Sequence, residues 1–137
     1  MLIETEKITL QFSSSPDNFK MLYVLLEQLR KQYPMHDETA ANMELVVGEA
    51  INNAIIHGNK GDEKKQVFIT AENSADNILS ITVTDEGDGF NYNHLPDPTL
   101  PENIENPTGR GVFLMKQLAD LVIFSNNGST VEVQFHL

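Results

Sequence analysis

Residues 42–58, NMELVVGEAINNAIIHG, decide how the chain is read. The run has the length and period of an α-helix. It is apolar almost all the way round, which predicts a buried helix rather than a surface one. Yet it carries Glu49 and Asn53, four residues apart and therefore on one face, with His57 one turn further on. A carboxylate and a carboxamide on a buried helix are costly unless something pairs with them. That cost is the first mark of a site. A pair satisfied by neighbouring backbone is the plainer explanation, and in isolation the stronger one. His57, near the helix end, reads as a group that caps carbonyls or meets the helix dipole.

Outward from this helix the elements follow by pattern. Residues 3–12 alternate in polarity and read as a strand, with Ile8, Leu10 and Phe12 on one face. Ser15-Pro16-Asp17 opens a helix with a hydroxyl cap, a proline at the first position and an acid in the first turn. Phe19, Leu22, Leu25, Leu26 and Leu29 form its apolar stripe, and it should stop before Pro34. Asp37 is the expected cap of the central helix, and Gly58-Asn59 its expected end. Strands are expected over 66–72 and 78–84, joined as a hairpin, and over 121–125 and 130–137, joined by Asn126-Asn127-Gly128. Between them, residues 91–108 hold four prolines and four asparagines without a hydrophobic period. Such a stretch reads as a functional lid, mobile when empty, or else as a disordered segment. A helix over roughly 111–120 follows, with Val112, Leu114, Met115 and Leu118 apolar. This order predicts a single-domain α+β two-layer sandwich, with a largely antiparallel sheet and three main helices on one face.

Composition narrows the function. A net charge of −11 over 137 residues argues against nucleic-acid or anionic-membrane binding over most of the surface, while leaving room for one anionic ligand in a favourable pocket. Cysteine is absent, which removes disulfides, thiolate zinc sites and cysteine nucleophiles. The opening MLIETEKITLQF resembles neither a signal peptide nor a membrane span, so the cytoplasm is the default.

Two further clusters bear chemistry. Asp85, at a strand end, can accept a hydrogen bond from an exocyclic amine of the kind adenine presents. Gly87 and Gly89 would let backbone approach a flat ligand. A plain turn explains the same residues. Gly109-Arg110-Gly111 precedes a helix, whose N-terminus offers free N–H groups and a positive dipole end to phosphate. Arg110 could touch a phosphate, reach a partner or simply lie at the surface. Glu49 could act as a base and Asn53 as an oxygen ligand for Mg²⁺.

Each cluster is weak alone, but their order and spacing are informative. E-x-x-x-N-A at 49–54, D-x-G-x-G at 85–89 and G-x-G at 109–111 resemble the asparagine box and the two glycine boxes of the GHKL ATP-binding superfamily. Gly128-Ser129-Thr130 is similar to its final box. EAINNAIIHGN and GRGVFLMKQLAD look most like bacterial anti-sigma-factor serine/threonine kinases. The resemblance implies a Bergerat fold holding ATP and Mg²⁺ under a lid. It implies Glu49 as general base, Asn53 as Mg²⁺ ligand and Asp85 as the adenine-binding carboxylate above Gly87 and Gly89. Gly109 and Gly111 become the phosphate turn, beside Arg110, and Thr130 the hydroxyl near the base. It also implies phosphorylation of a STAS-type antagonist, binding of a sigma factor and homodimerisation. An ATP-dependent binding module and a stand-alone ATPase are the alternatives. A full histidine kinase is disfavoured, because residues 16–33 contain no histidine and no dimerisation hairpin precedes the core.

Overall fold

The computed structural model describes residues 7–74, 76–89 and 107–137, with side chains from residue 110 onward in the last segment. The lid expected at 91–108 therefore lies outside the described residues, apart from its last two positions. Five strands, β1 (Ile8–Ser13), β2 (Gln66–Asn73), β3 (Ile78–Thr84), β4 (Leu121–Ser125) and β5 (Thr130–His136), form one sheet in the order β1-β2-β3-β5-β4, every pair antiparallel. Among the described residues three helices complete it: α1 (Met21–Gln32), entered through a 3-10 turn at Pro16–Lys20, α2 (Asp37–Asn52) and α3 (Pro107–Leu118). The expected α+β sandwich is the architecture observed.

Strand alternation supplies the core. Val67, Ile69 and Ala71 of β2, Leu79, Ile81 and Val83 of β3, and Val131, Val133 and Phe135 of β5 all turn to the helical layer and are buried. Register makes this one surface, since Ile69 faces Val83 and Ile81 faces Val133 across the ladder. Against it α2 lays Met43, Val46, Val47, Ala50 and Ile51, followed by Ala54 and Ile55. The helix is not buried all round, however. Leu45 is 51% exposed and Ile56 41% exposed. An apolar residue at the surface is common enough that composition alone overstated the burial of this helix.

Several boundaries differ from those expected, and three of the differences have a clear physical cause. The central helix begins with Asp37 as its first residue and His36 as its cap, with no side-chain cap bond. The Asp37 carboxylate instead pairs with Arg30 at 2.8 Å, tying α2 to the end of α1. At its other end α2 runs into a π-helical turn, Asn53–Gly58, where the Asn59 N–H reaches back five residues to the Ala54 carbonyl at 2.9 Å. Asn59 keeps right-handed backbone angles, and the left-handed positions are Lys60 (φ 55°) and Gly61 (φ 70°). The last helix starts at Pro107 rather than near 111. Proline fits a first helical position because its missing N–H is not needed there.

Ile51 sits where α2 crosses the sheet and is fully buried. Ile51→Ala should lower the unfolding free energy by about 2–5 kcal/mol, the usual cost of such a cavity, measured by urea denaturation.

Candidate functional site

Where the end of the central helix meets the ends of β3 and β5, the core opens into a cavity of about 130 Å³. Its apolar floor is Val83, Val131 and Phe124. Ala50, Asn53, Ala54, His57 and Gly58 come from the helix side, and Asp85, Gly89, Gly128 and Ser129 from the turns. Met115 of α3 closes it from a further side. The spacing 50, 53, 54, 57, 58 is one helical face, so the periodicity that packs the helix also aims its polar residues into the cavity.

Glycines let these pieces touch. A Cβ on Gly58 would overlap the Asp85 carboxylate, and one on Gly87 would overlap the Gly58 carbonyl. Gly89, at φ +82°, lies against the Asn127 carbonyl. Asp85 is held from several directions. Its N–H donates to the Ser129 carbonyl at 2.9 Å, and its Oδ1 accepts from the Gly87 N–H at 2.8 Å. Burial pushes its pKa above the ordinary aspartate value, against the lowering pull of the Gly87 N–H and of the positive charge on Lys65.

The second cluster forms around Gly111. A Cβ there would stand 2.5 Å from Glu49 Oε2 and 3.8 Å from Asn53 Nδ2. The start of α3 thus lies directly over the pair on the central helix. Because the helix begins at Pro107, Gly109 falls among the opening residues whose N–H groups have no helical partner. Gly111 is deep enough to join the helical ladder. Only the first glycine of the Gly-Arg-Gly turn therefore offers an N–H outside the helical ladder, while Gly111 lies against Glu49.

Not every expected site residue meets the cavity. Arg110 is exposed on α3. Gly87 shapes the Asp85 turn without lining the cavity. Thr130 faces the other side of β5, where its hydroxyl accepts from Asn126 Nδ2 at 3.0 Å and meets the Thr84 hydroxyl at 3.3 Å. The neighbouring Ser129 lines the cavity instead. His57, read from the sequence as a helix-end group, is also a wall residue. Its spacing of four from Asn53 was the available signal. Among the described residues no three His, Cys, Asp or Glu side chains gather. The Asn53 amide is a hard oxygen donor of the kind that suits Mg²⁺ arriving on phosphates with its waters kept.

Residues 12–135 match the histidine kinase-like ATPase domain family. The chain belongs to that family. It is 32% identical over 133 residues to an anti-sigma F factor of Geobacillus thermodenitrificans, covering 93% of this chain and 90% of the relative. An anti-sigma F factor of Shouchella clausii is 31% identical over 138 residues, covering 96% and 92%. In structure, the chain resembles the RsbU and RsbW domains of a Mycobacterium tuberculosis protein, with a TM-score of 0.67 at 15% identity. That match covers 97% of this chain and 33% of the other, and it bears on the fold alone. A blue-light activated histidine kinase of Erythrobacter litoralis matches over 73% of this chain and 45% of its own, with a TM-score of 0.52 at 25% identity. Family membership makes this an ATP-binding domain of GHKL type. Among the described residues no helix is long and apolar enough to cross a membrane.

The burial of Asp85 has a cost with a definite sign. Its folded pKa lies above its unfolded value, so the folded state binds the extra proton. Stability is therefore lost as pH rises from the ordinary aspartate pKa through the raised one. Above the raised value the full cost is present. Asp85→Asn should make the nucleotide-free protein more stable at pH 7 and less so at pH 3, while weakening ATP binding by roughly 10- to 150-fold, the worth of a hydrogen bond to a charged group. Thermal melts at both pH values and calorimetric titration with ATP check the two halves separately.

Proposed function

We propose that the protein is an anti-sigma-factor-type serine/threonine kinase. It transfers the γ-phosphoryl of ATP to a serine of a STAS-type antagonist and alternatively holds a sigma factor, so that transcription is set by partner switching in the cytoplasm. The observation that carries this reading is the stacking of Gly111 on Glu49 and Asn53 beside a cavity walled by Asp85. It brings a carboxylate, a carboxamide and the first turns of a helix to one place, which supports reading them as base, metal ligand and phosphate site. The anti-sigma F names of relatives that align along nearly their whole length support the same reading.

The roles divide by position. In this reading the cavity takes adenine, with the Asp85 carboxylate accepting from its exocyclic amine and the floor of Val83, Phe124 and Val131 against the ring. The N–H of Gly109 points the positive end of α3 at phosphate. Asn53 offers its amide oxygen to Mg²⁺, which when bound offsets the phosphate charge. Glu49 orients the acceptor serine and takes its hydroxyl proton as the oxygen–phosphorus bond forms and the bond to the β-phosphate oxygen breaks. Little covalent chemistry is asked of the protein, and most of the acceleration comes from position and electrostatics. A homodimer is the assembly expected of this class.

Glu49→Ala should cut phosphotransfer by about 10²- to 10⁴-fold, the usual worth of a positioned base, and leave ATP affinity within a few-fold. The check is labelled ATP with a STAS-type partner. Full transfer in the variant would defeat the assignment. A stable complex of the wild-type protein with that partner and ATP, without label on the partner, would instead identify an ATP-dependent binding module. Hydrolysis without any protein acceptor would identify an ATPase.

A further inference from the structure

We infer that Asn59 is a positioning residue for nucleotide recognition, because its buried carboxamide holds the turn that carries Asp85. The inference rests on the adenine-binding reading of Asp85 and adds a residue to it. Asn59 is 1% exposed and follows the last turn of the central helix. Its side chain reaches three other segments of the chain. Nδ2 donates to Ser14 Oγ at 2.5 Å, just beyond β1, and to the Gln66 carbonyl at 2.9 Å, at the start of β2. Oδ1 accepts the Glu86 N–H at 2.8 Å, in the turn after β3. A buried amide with both donors and its acceptor engaged is specific to one arrangement of its neighbours.

That arrangement bears on Asp85. Glu86 is its chain neighbour, and the Glu86 side chain in turn accepts the Gln66 N–H through Oε2 at 2.6 Å. Two residues on, Gly87 presses on the Gly58 carbonyl and donates to Asp85 Oδ1. The turn is thus clamped between the helix end and β2, with Asn59 as the buried side of the clamp. Ser14 is fully buried as well, and its own N–H bonds the Lys65 carbonyl at 3.0 Å, so the anchor behind Asn59 is rigid. Asn59 itself does not line the cavity. Its effect reaches the ligand through the direction of the Asp85 carboxylate.

A positioning role predicts a change in base selectivity that a loss of stability alone would not produce. Inosine triphosphate carries a carbonyl where ATP carries the exocyclic amine, so at that position it presents an acceptor to the Asp85 carboxylate instead of a donor. Affinities of both nucleotides are measured by calorimetry for the wild-type protein, Asp85→Asn and Asn59→Ala, with far-UV circular dichroism to establish folding. The wild-type protein should prefer ATP, and Asp85→Asn should lose the preference. Folded Asn59→Ala should show the preference reduced roughly three- to tenfold, through weaker ATP binding, the share expected when one hydrogen bond loses its alignment. An unchanged ratio in folded Asn59→Ala, with the two controls behaving as stated, overturns the role of Asn59. Absence of the preference in the wild-type protein, or its retention in Asp85→Asn, overturns the Asp85 reading and the inference with it. If Asn59→Ala does not fold, amide exchange on the nucleotide-free wild-type protein decides. A Glu86 amide protected like those of β3 supports the clamp, and one exchanging as an open turn does overturns it.

Discussion

Gly58 and Gly87 meet where any side chain would collide, and the geometry of the site depends on that contact. The helix must end against the turn after β3 for Asp85 to face the same space as Asn53 and His57. Two ordinary residues there would hold the layers apart and open the cavity to solvent. The π-helical turn is part of the same constraint. It carries the chain from the helix to Asn59 with the Asn59 N–H paired to Ala54, so the close approach leaves that buried N–H satisfied. The sheet then supplies the fixed side, since the Asp85 N–H is tied to Ser129 at the head of β5.

The architecture was legible from the sequence because its signals are local. Alternation in 66–72 and 78–84, and the Asn-Asn-Gly turn before the last strand, each specify an element without reference to the rest, and those strands appear within a residue of the expected limits. Asn126, Asn127 and Gly128 do adopt positive φ. The start of α3 was misjudged because Pro107 was counted with the irregular segment before it, although proline suits a first helical turn. The site was legible only in part. Glu49, Asn53 and His57 share a face by period alone. Thr130 was expected near the base, but strand alternation turns it to the opposite side of the sheet from Val131, and Ser129, whose hydroxyl donates to the Asn126 carbonyl, lines the cavity instead. Asn59 carried no signal, because its partners lie 45, 7 and 27 positions away. A buried amide with distant partners is written in tertiary structure, and a pattern rule reads the same residue as a helix end.

Charge connects the site with the rest of the molecule. With nine basic residues against twenty acidic ones, the surface as a whole repels a polyphosphate. Attraction must therefore be local. Apart from the exposed Arg110, the groups that the proposed reading gives to phosphate and its Mg²⁺ are backbone N–H at the start of α3 and the Asn53 amide. Neither adds net charge to the protein. They work because they are oriented in advance, which is also what the contact of Gly111 with Glu49 enforces. On the proposed reading, a carboxylate held that near the phosphates would raise the local repulsion further, and a metal on the phosphates would let Glu49 remain beside them. On the proposed roles, the residue that would take the hydroxyl proton would also make the site dependent on a divalent cation. The distance between those two requirements is one helical turn, Glu49 to Asn53.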